Sequence, residues 1–77
     1  MIDVTYHAAL KPNASSIRGL SYAKFEYYHG ITPQIIGDLL KLEEIGVILV
    51  NGSFAHEYDL LKDGDSVEFH PFVGGGC

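Results

Sequence analysis

The residues of this chain best suited to chemistry stand together at its C-terminal end, in the run Gly74-Gly75-Gly76-Cys77. Glycine has no Cβ, so such a run can thread a narrow channel and adopt backbone conformations closed to other residues. Four extended residues reach roughly 13 to 14 Å. Cys77 is the single cysteine, so it can form no disulfide within the chain and cannot build a structural zinc site, which wants four soft ligands. A thiol on such a tail is chemically accessible.

Elsewhere the reactive side chains are scattered. His7, His29, His56 and His70 lie on separate segments without ligand-like spacing, which predicts strand-surface histidines and no metal site. Asp59, Asp63 and Asp65 fail the spacing of a calcium loop and read as turn residues. Lys11, Lys24, Lys41 and Lys62 read as solvated and not as conjugation sites. No nucleophile has a base partner, so no catalytic residue is assigned and the protein is expected not to be an enzyme.

Composition narrows the classes further. At 77 residues the chain can build one small core, since folds of this size bury only about 60% of their unfolded surface. Hydrophobic residues make up 47% and charged residues 19%, which predicts a globular domain and not a disordered tail. A net charge of -5 argues against nucleic acid, whose phosphates need a basic face, and favours partners with basic surfaces. No apolar run approaches the roughly 18 residues of a membrane span, and the N-terminus lacks a signal-peptide pattern. The expected location is the cytoplasm.

The elements that must position the tail follow from periodicity. Ile2-Asp3-Val4-Thr5-Tyr6-His7 alternates at period two, predicting a strand with Ile2, Val4 and Tyr6 inward that ends near Leu10. Lys11 to Ser16 collects turn formers and is the expected mobile loop. Tyr22 to Tyr28, bracketed by Gly19 and Gly30, predicts a second strand antiparallel to the first. Thr32-Pro33 supplies an N-cap and a first-turn proline. The helix they open would carry Ile35, Ile36, Leu39, Leu40 and Leu42 and end near Gly46.

Val47 to Val50 is a short apolar run closed by Asn51-Gly52, predicting a strand buried on both faces at the sheet centre, then a tight turn. Phe54-Ala55, a segment from Tyr58 to Leu61, the turn Lys62-Asp63-Gly64-Asp65 and a last strand from Ser66 to His70 complete the order. Most of the aromatic residues Tyr22, Phe25, Tyr27, Tyr28, Phe54, Phe69 and Phe72 are expected in the core. Strand-strand-helix-strand-strand order predicts an α+β fold of β-grasp (ubiquitin-like) type, a mixed four- to five-stranded sheet packed on one main helix. The expected division is a domain over 1–73 and a flexible tail over 74–77.

Several strings resemble those of the ThiS/MoaD-like sulfur carriers. Val50-Asn51-Gly52 is similar to the family's strand-plus-turn motif, and Leu61-Lys62-Asp63-Gly64-Asp65-Ser66-Val67 to its L-x-D-G-D-x-V turn. Phe69-His70-Pro71-Phe72-Val73-Gly74-Gly75-Gly76 resembles its aromatic-x-Pro-x-Val-x-Gly-Gly ending, which aligns the functional diglycine with Gly75-Gly76. Phe72 replaces a common second proline, Gly74 a common alanine, and Cys77 follows the normal end. From Lys11 to His29 no family string is matched.

The resemblance implies a cosubstrate and not an enzyme. In the family a ubiquitin-activating-type adenylyltransferase uses ATP to adenylate the terminal glycine carboxylate. A sulfur donor such as a cysteine desulfurase or sulfurtransferase then displaces AMP, leaving a thiocarboxylate that a recipient synthase consumes. No cofactor is bound by the carrier. Carried over to this chain, Gly76 is the adenylation and thiocarboxylation site, Gly74 and Gly75 are tail-threading residues, and Phe72 and Val73 are partner-docking residues. Thiamine thiazole, molybdopterin, a sulfur amino acid or a specialised thioacid metabolite are all compatible recipients.

Cys77 conflicts with this scheme, because an amide bond occupies the Gly76 carbonyl that must become the thiocarboxylate. The resemblance implies that Cys77 is a processing residue, since some carriers of the family have residues after the diglycine that a zinc metalloprotease of the JAMM type removes. The alternatives are that its thiol carries sulfur as a persulfide, or that it was added for ligation or labelling. Two other functions share the fold: a ubiquitin-like modifier joined to target lysines through Gly76, and a non-covalent β-grasp binding module.

Overall fold

The structure is a computed structural model and describes residues 1–7, 10 and 20–71. Strands β1 (Ile2–His7), β2 (Leu20–Phe25), β3 (Ile45–Val50), β4 (Ser53–Phe54) and β5 (Ser66–Pro71) and helix α1 (Pro33–Leu40) follow in the order β1, β2, α1, β3, β4, β5. The strands form one five-stranded sheet in the order β2-β1-β5-β3-β4. β1 and β5 run parallel and the other pairs antiparallel, which is the mixed sheet of a β-grasp fold.

Alternation decides which face of the sheet meets the helix. Ile2 and Val4 of β1 and Val67 and Phe69 of β5 are buried together with Leu10, Ile31, Ile36, Leu42 and Leu61. Tyr6 packs against this core from the end of β1, as its place in the alternation predicts. The first strand stops at His7, before the expected Leu10, and Leu10 itself lies in the core.

The second strand ends at Phe25 and not at Tyr28. Phe25 stands opposite Ile2, so the partner strand has no further residue to offer. Tyr27 and Tyr28 are consequently exposed, as are Tyr22 and Phe54. Of the aromatic residues expected inside, Phe69 alone is fully buried among the described residues, with Phe25 packed at the margin.

α1 starts as its sequence dictates. Thr32 is the N-cap, its Oγ1 accepting from the Ile35 amide at 3.3 Å, and Pro33 opens the first turn. The end comes earlier than the expected Gly46. Lys41 turns left-handed (φ 60°), its amide donates to the Asp38 carbonyl at 3.1 Å, and the Leu42 amide donates to the Gly37 carbonyl at 3.0 Å. These bonds satisfy the last helical carbonyls, and the reversal folds Leu42 beneath the helix into the core. Leu39, expected on the apolar face, is exposed.

Gly46 lies inside β3, at the register shift where Ile45 faces Pro71 while Val47 faces His70. β3 is not the central strand either. That place belongs to β5, flanked by β1 and β3, and the residues of β3 are half-buried or exposed. The strand that is last in sequence lies between strands from earlier segments, which the order of elements alone does not reveal. The loop expected over 11–16 lies outside the described residues.

Candidate functional site

The site is best built from the strand that leads into it. In β5, Val67 and Phe69 point to the helix with no exposed surface, so Glu68 and His70 project from the opposite face of the sheet. There His70 Nε2 and Glu68 Oε1 stand 3.0 Å apart, both side chains partly exposed. The strand closes at Pro71 opposite Ile45, and the tail continues from that point. β5 is bonded to a strand on each side and is the middle strand of the sheet, so the base of the tail is held by pairing on both edges.

The other end of the sheet carries the two turn motifs, and they are joined. Asn51 (φ 53°) and Gly52 (φ 85°) connect β3 to β4 as a tight hairpin, and both need left-handed backbone. The Asn51 amide donates to the Ser66 carbonyl at 2.8 Å. Its side chain accepts from the Ser66 amide at 2.9 Å and donates to Asp65 Oδ1 at 2.9 Å. Asp65 Oδ2 accepts in turn from the Lys62 amide at 2.8 Å, and Gly64 (φ 93°) completes the turn. Asn51 therefore sets where β5 begins. Sequence reading treated the Asn-Gly and Asp-Gly turns as separate; the signal that could have linked them is an asparagine and an aspartate at turn positions flanking paired strands.

The predicted site residues Phe72, Val73, Gly74, Gly75, Gly76 and Cys77 lie outside the described residues. Asp59 and Asp65 are turn residues as expected, Asp59 Oδ2 accepting from the His56 amide at 3.0 Å. Among the described residues no group of three or more His, Cys, Asp or Glu side chains comes together in a way that could hold a metal ion. No helix among them is long and apolar enough to cross a membrane.

Comparison with protein-family models matches residues 10–76 to the ThiS family. The chain belongs to the ThiS family. The match covers most of the described domain and runs through Gly76, stopping short of Cys77. Comparisons with curated proteins and with solved structures returned no match. Membership of the ThiS family carries the β-grasp fold and a general role as a sulfur carrier; members of the family are small carriers rather than enzymes and work with activating enzymes and synthases.

Proposed function

We propose that the chain carries sulfur as a thiocarboxylate on Gly76, formed after Cys77 is removed. The observation that supports this most directly is that the family match ends at Gly76, the second residue of the diglycine, and excludes the residue that would block it. An ionised α-carboxylate, with a pKa of about 3.5, attacks the activated phosphate of ATP but cannot itself acylate anything. The adenylyltransferase converts it to an acyl-adenylate with release of pyrophosphate. The outer sulfur of a persulfide on the desulfurase or sulfurtransferase then displaces AMP to form an acyl disulfide. A second thiol attacks the donor's sulfur, leaving a disulfide there and freeing the Gly76 thiocarboxylate that the recipient synthase consumes.

In this reading Gly74 and Gly75 let the backbone thread the activating enzyme's channel, and Phe72 and Val73 dock at its mouth. ATP belongs to the partner, and the carrier binds no cofactor. A JAMM-type metalloprotease hydrolyses the Gly76–Cys77 amide, freeing the carboxylate. Thiamine and molybdopterin biosynthesis are both compatible destinations, and the cytoplasm, where ATP is available, is the compartment the chemistry fits.

The test compares the chain ending at Gly76 with the chain ending at Cys77, each incubated with an activating enzyme of the family, ATP and a sulfur donor. The shorter form should gain about 16 Da by intact mass, oxygen replaced by sulfur, and the longer form should not until protease is added. High-mass lysine adducts without the sulfur product would assign the chain to protein modification instead. Sulfur gained by the longer form on the Cys77 thiol, at about 32 Da, would overturn the Gly76 assignment.

A further inference from the structure

A groove of about 260 Å³ runs between α1 and β3, on the face of the sheet opposite to Glu68 and His70. Gly37, Ile45, Ile48 and Phe69 line its apolar floor. Gly37 keeps it open on the helix side, since a Cβ at that position would come within 3.1 Å of Ile45 Cδ1. The rim is different in kind: Asp38, Glu44 and Glu57 stand around the mouth, all exposed. None of the three makes an ion pair among the described residues, whose ion pairs involve Asp63, Asp3 and Glu68.

The backbone beside the groove is also incompletely paired. β4 covers β3 only at Leu49 and Val50, and the Ala55 amide adds one bond to the Ile48 carbonyl at 2.9 Å. From Ile45 to Val47 the same edge of β3 has no strand partner among the described residues. An open strand edge offers main-chain hydrogen bonds, an apolar floor offers burial, and an acidic rim selects the sign of the neighbouring charge.

We propose that this groove binds an extended segment of a partner protein in which a large aliphatic side chain is flanked by lysine or arginine. The aliphatic side chain seats on Ile45, Ile48 and Phe69, the segment runs along the open part of β3, and its cations face Asp38, Glu44 and Glu57. A small cationic metabolite would use the rim but neither the floor nor the strand edge, which is why a peptide fits better. The site does not depend on the chemistry of the tail, so it can stand or fall separately from the sulfur-carrier reading.

The experiment titrates the full ¹⁵N-labelled chain with an acetylated, amidated peptide of sequence Lys-Arg-Val-Ile-Val-Arg-Lys, and with its counterpart Asp-Glu-Val-Ile-Val-Glu-Asp. Saturable amide shifts centred on Gly37, Gly46 and Ile48 are expected for the basic peptide and none for the acidic one. The double variant Asp38→Lys, Glu57→Lys should weaken the basic peptide about tenfold or more and gain binding to the acidic peptide. Salt at about 1 M, which shortens the screening length to about 3 Å, should weaken the basic peptide in the native chain. Both substituted side chains are exposed, and a native amide spectrum verifies the variant's fold. Absence of saturable shifts, equal shifts from both peptides, or shifts centred on Thr5 and Tyr22 of the outer face would overturn the proposal.

Discussion

Asn51 combines two requirements that few residues meet together. It sits at φ 53°, a left-handed conformation that asparagine tolerates far better than alanine, and its side chain bonds both the Ser66 amide and Asp65. Asn51→Ala should therefore cost about 1–3 kcal/mol, by loss of two hydrogen bonds and added backbone strain, as measured by urea denaturation. Asn51→Gly relieves the strain but not the lost bonds, so it should be the milder of the two. Equal stability of both variants with the native chain would show that the clamp to β5 contributes nothing. Phe54 provides the contrast: it is 84% exposed, and Phe54→Ala should move stability by no more than about 0.5 kcal/mol.

At the scale of elements, α1 shows competing terms at one position. Gly37 is buried mid-helix, where alanine would ordinarily stabilise by roughly 1 kcal/mol, but the new Cβ would crowd Ile45 Cδ1 at 3.1 Å. That atom is the tip of a side chain and can yield by a few tenths of an ångström. Gly37→Ala should accordingly fall within about 1 kcal/mol of the native chain, whereas Gly37→Leu, which cannot be accommodated by so small a shift, should lose about 2 kcal/mol or more in thermal unfolding. Thr32→Ala removes the N-cap acceptor for the Ile35 amide and should cost about 1 kcal/mol in the same assay.

At the scale of the molecule, the central place of β5 joins stability to function. Phe69 has no exposed surface, faces Tyr6 on one side and Ile48 on the other, and lies two residues before the strand's end at Pro71. Phe69→Ala should cost about 3–5 kcal/mol. A domain of this length has only about 4–12 kcal/mol in total at ~0.05–0.15 kcal/mol per residue, so the variant should be largely unfolded in mild urea. Shortening the tail is expected to act oppositely: deleting residues 74–77 removes the proposed reacting end while leaving the urea midpoint of the domain unchanged. A large loss of stability on that deletion would mean that the tail packs on the fold.

The sequence alone was enough for what local physics governs. Alternation identified the inward residues of β1, Thr32-Pro33 located the start of α1, the Asn-Gly turn fell between β3 and β4, and the Asp-Gly turn fell just before β5. It also placed the chain in its family, because the residues that carry the resemblance are contiguous. It likewise predicted the antiparallel pairing of β1 with β2, but not the order of the sheet nor the extent of its pairing. Which strand is central, where β2 runs out of partner, and how Lys41 turns Leu42 into the core all depend on neighbours distant in sequence. The exposure of Tyr22, Tyr27, Tyr28 and Phe54 has the same origin, since an aromatic residue on a strand can face either side and only the sheet's packing against one helix chooses. The groove beside β3 was hidden for that reason too: Gly37, Ile48 and Glu57 come from three segments, and only the tertiary fold brings an apolar floor under an acidic rim.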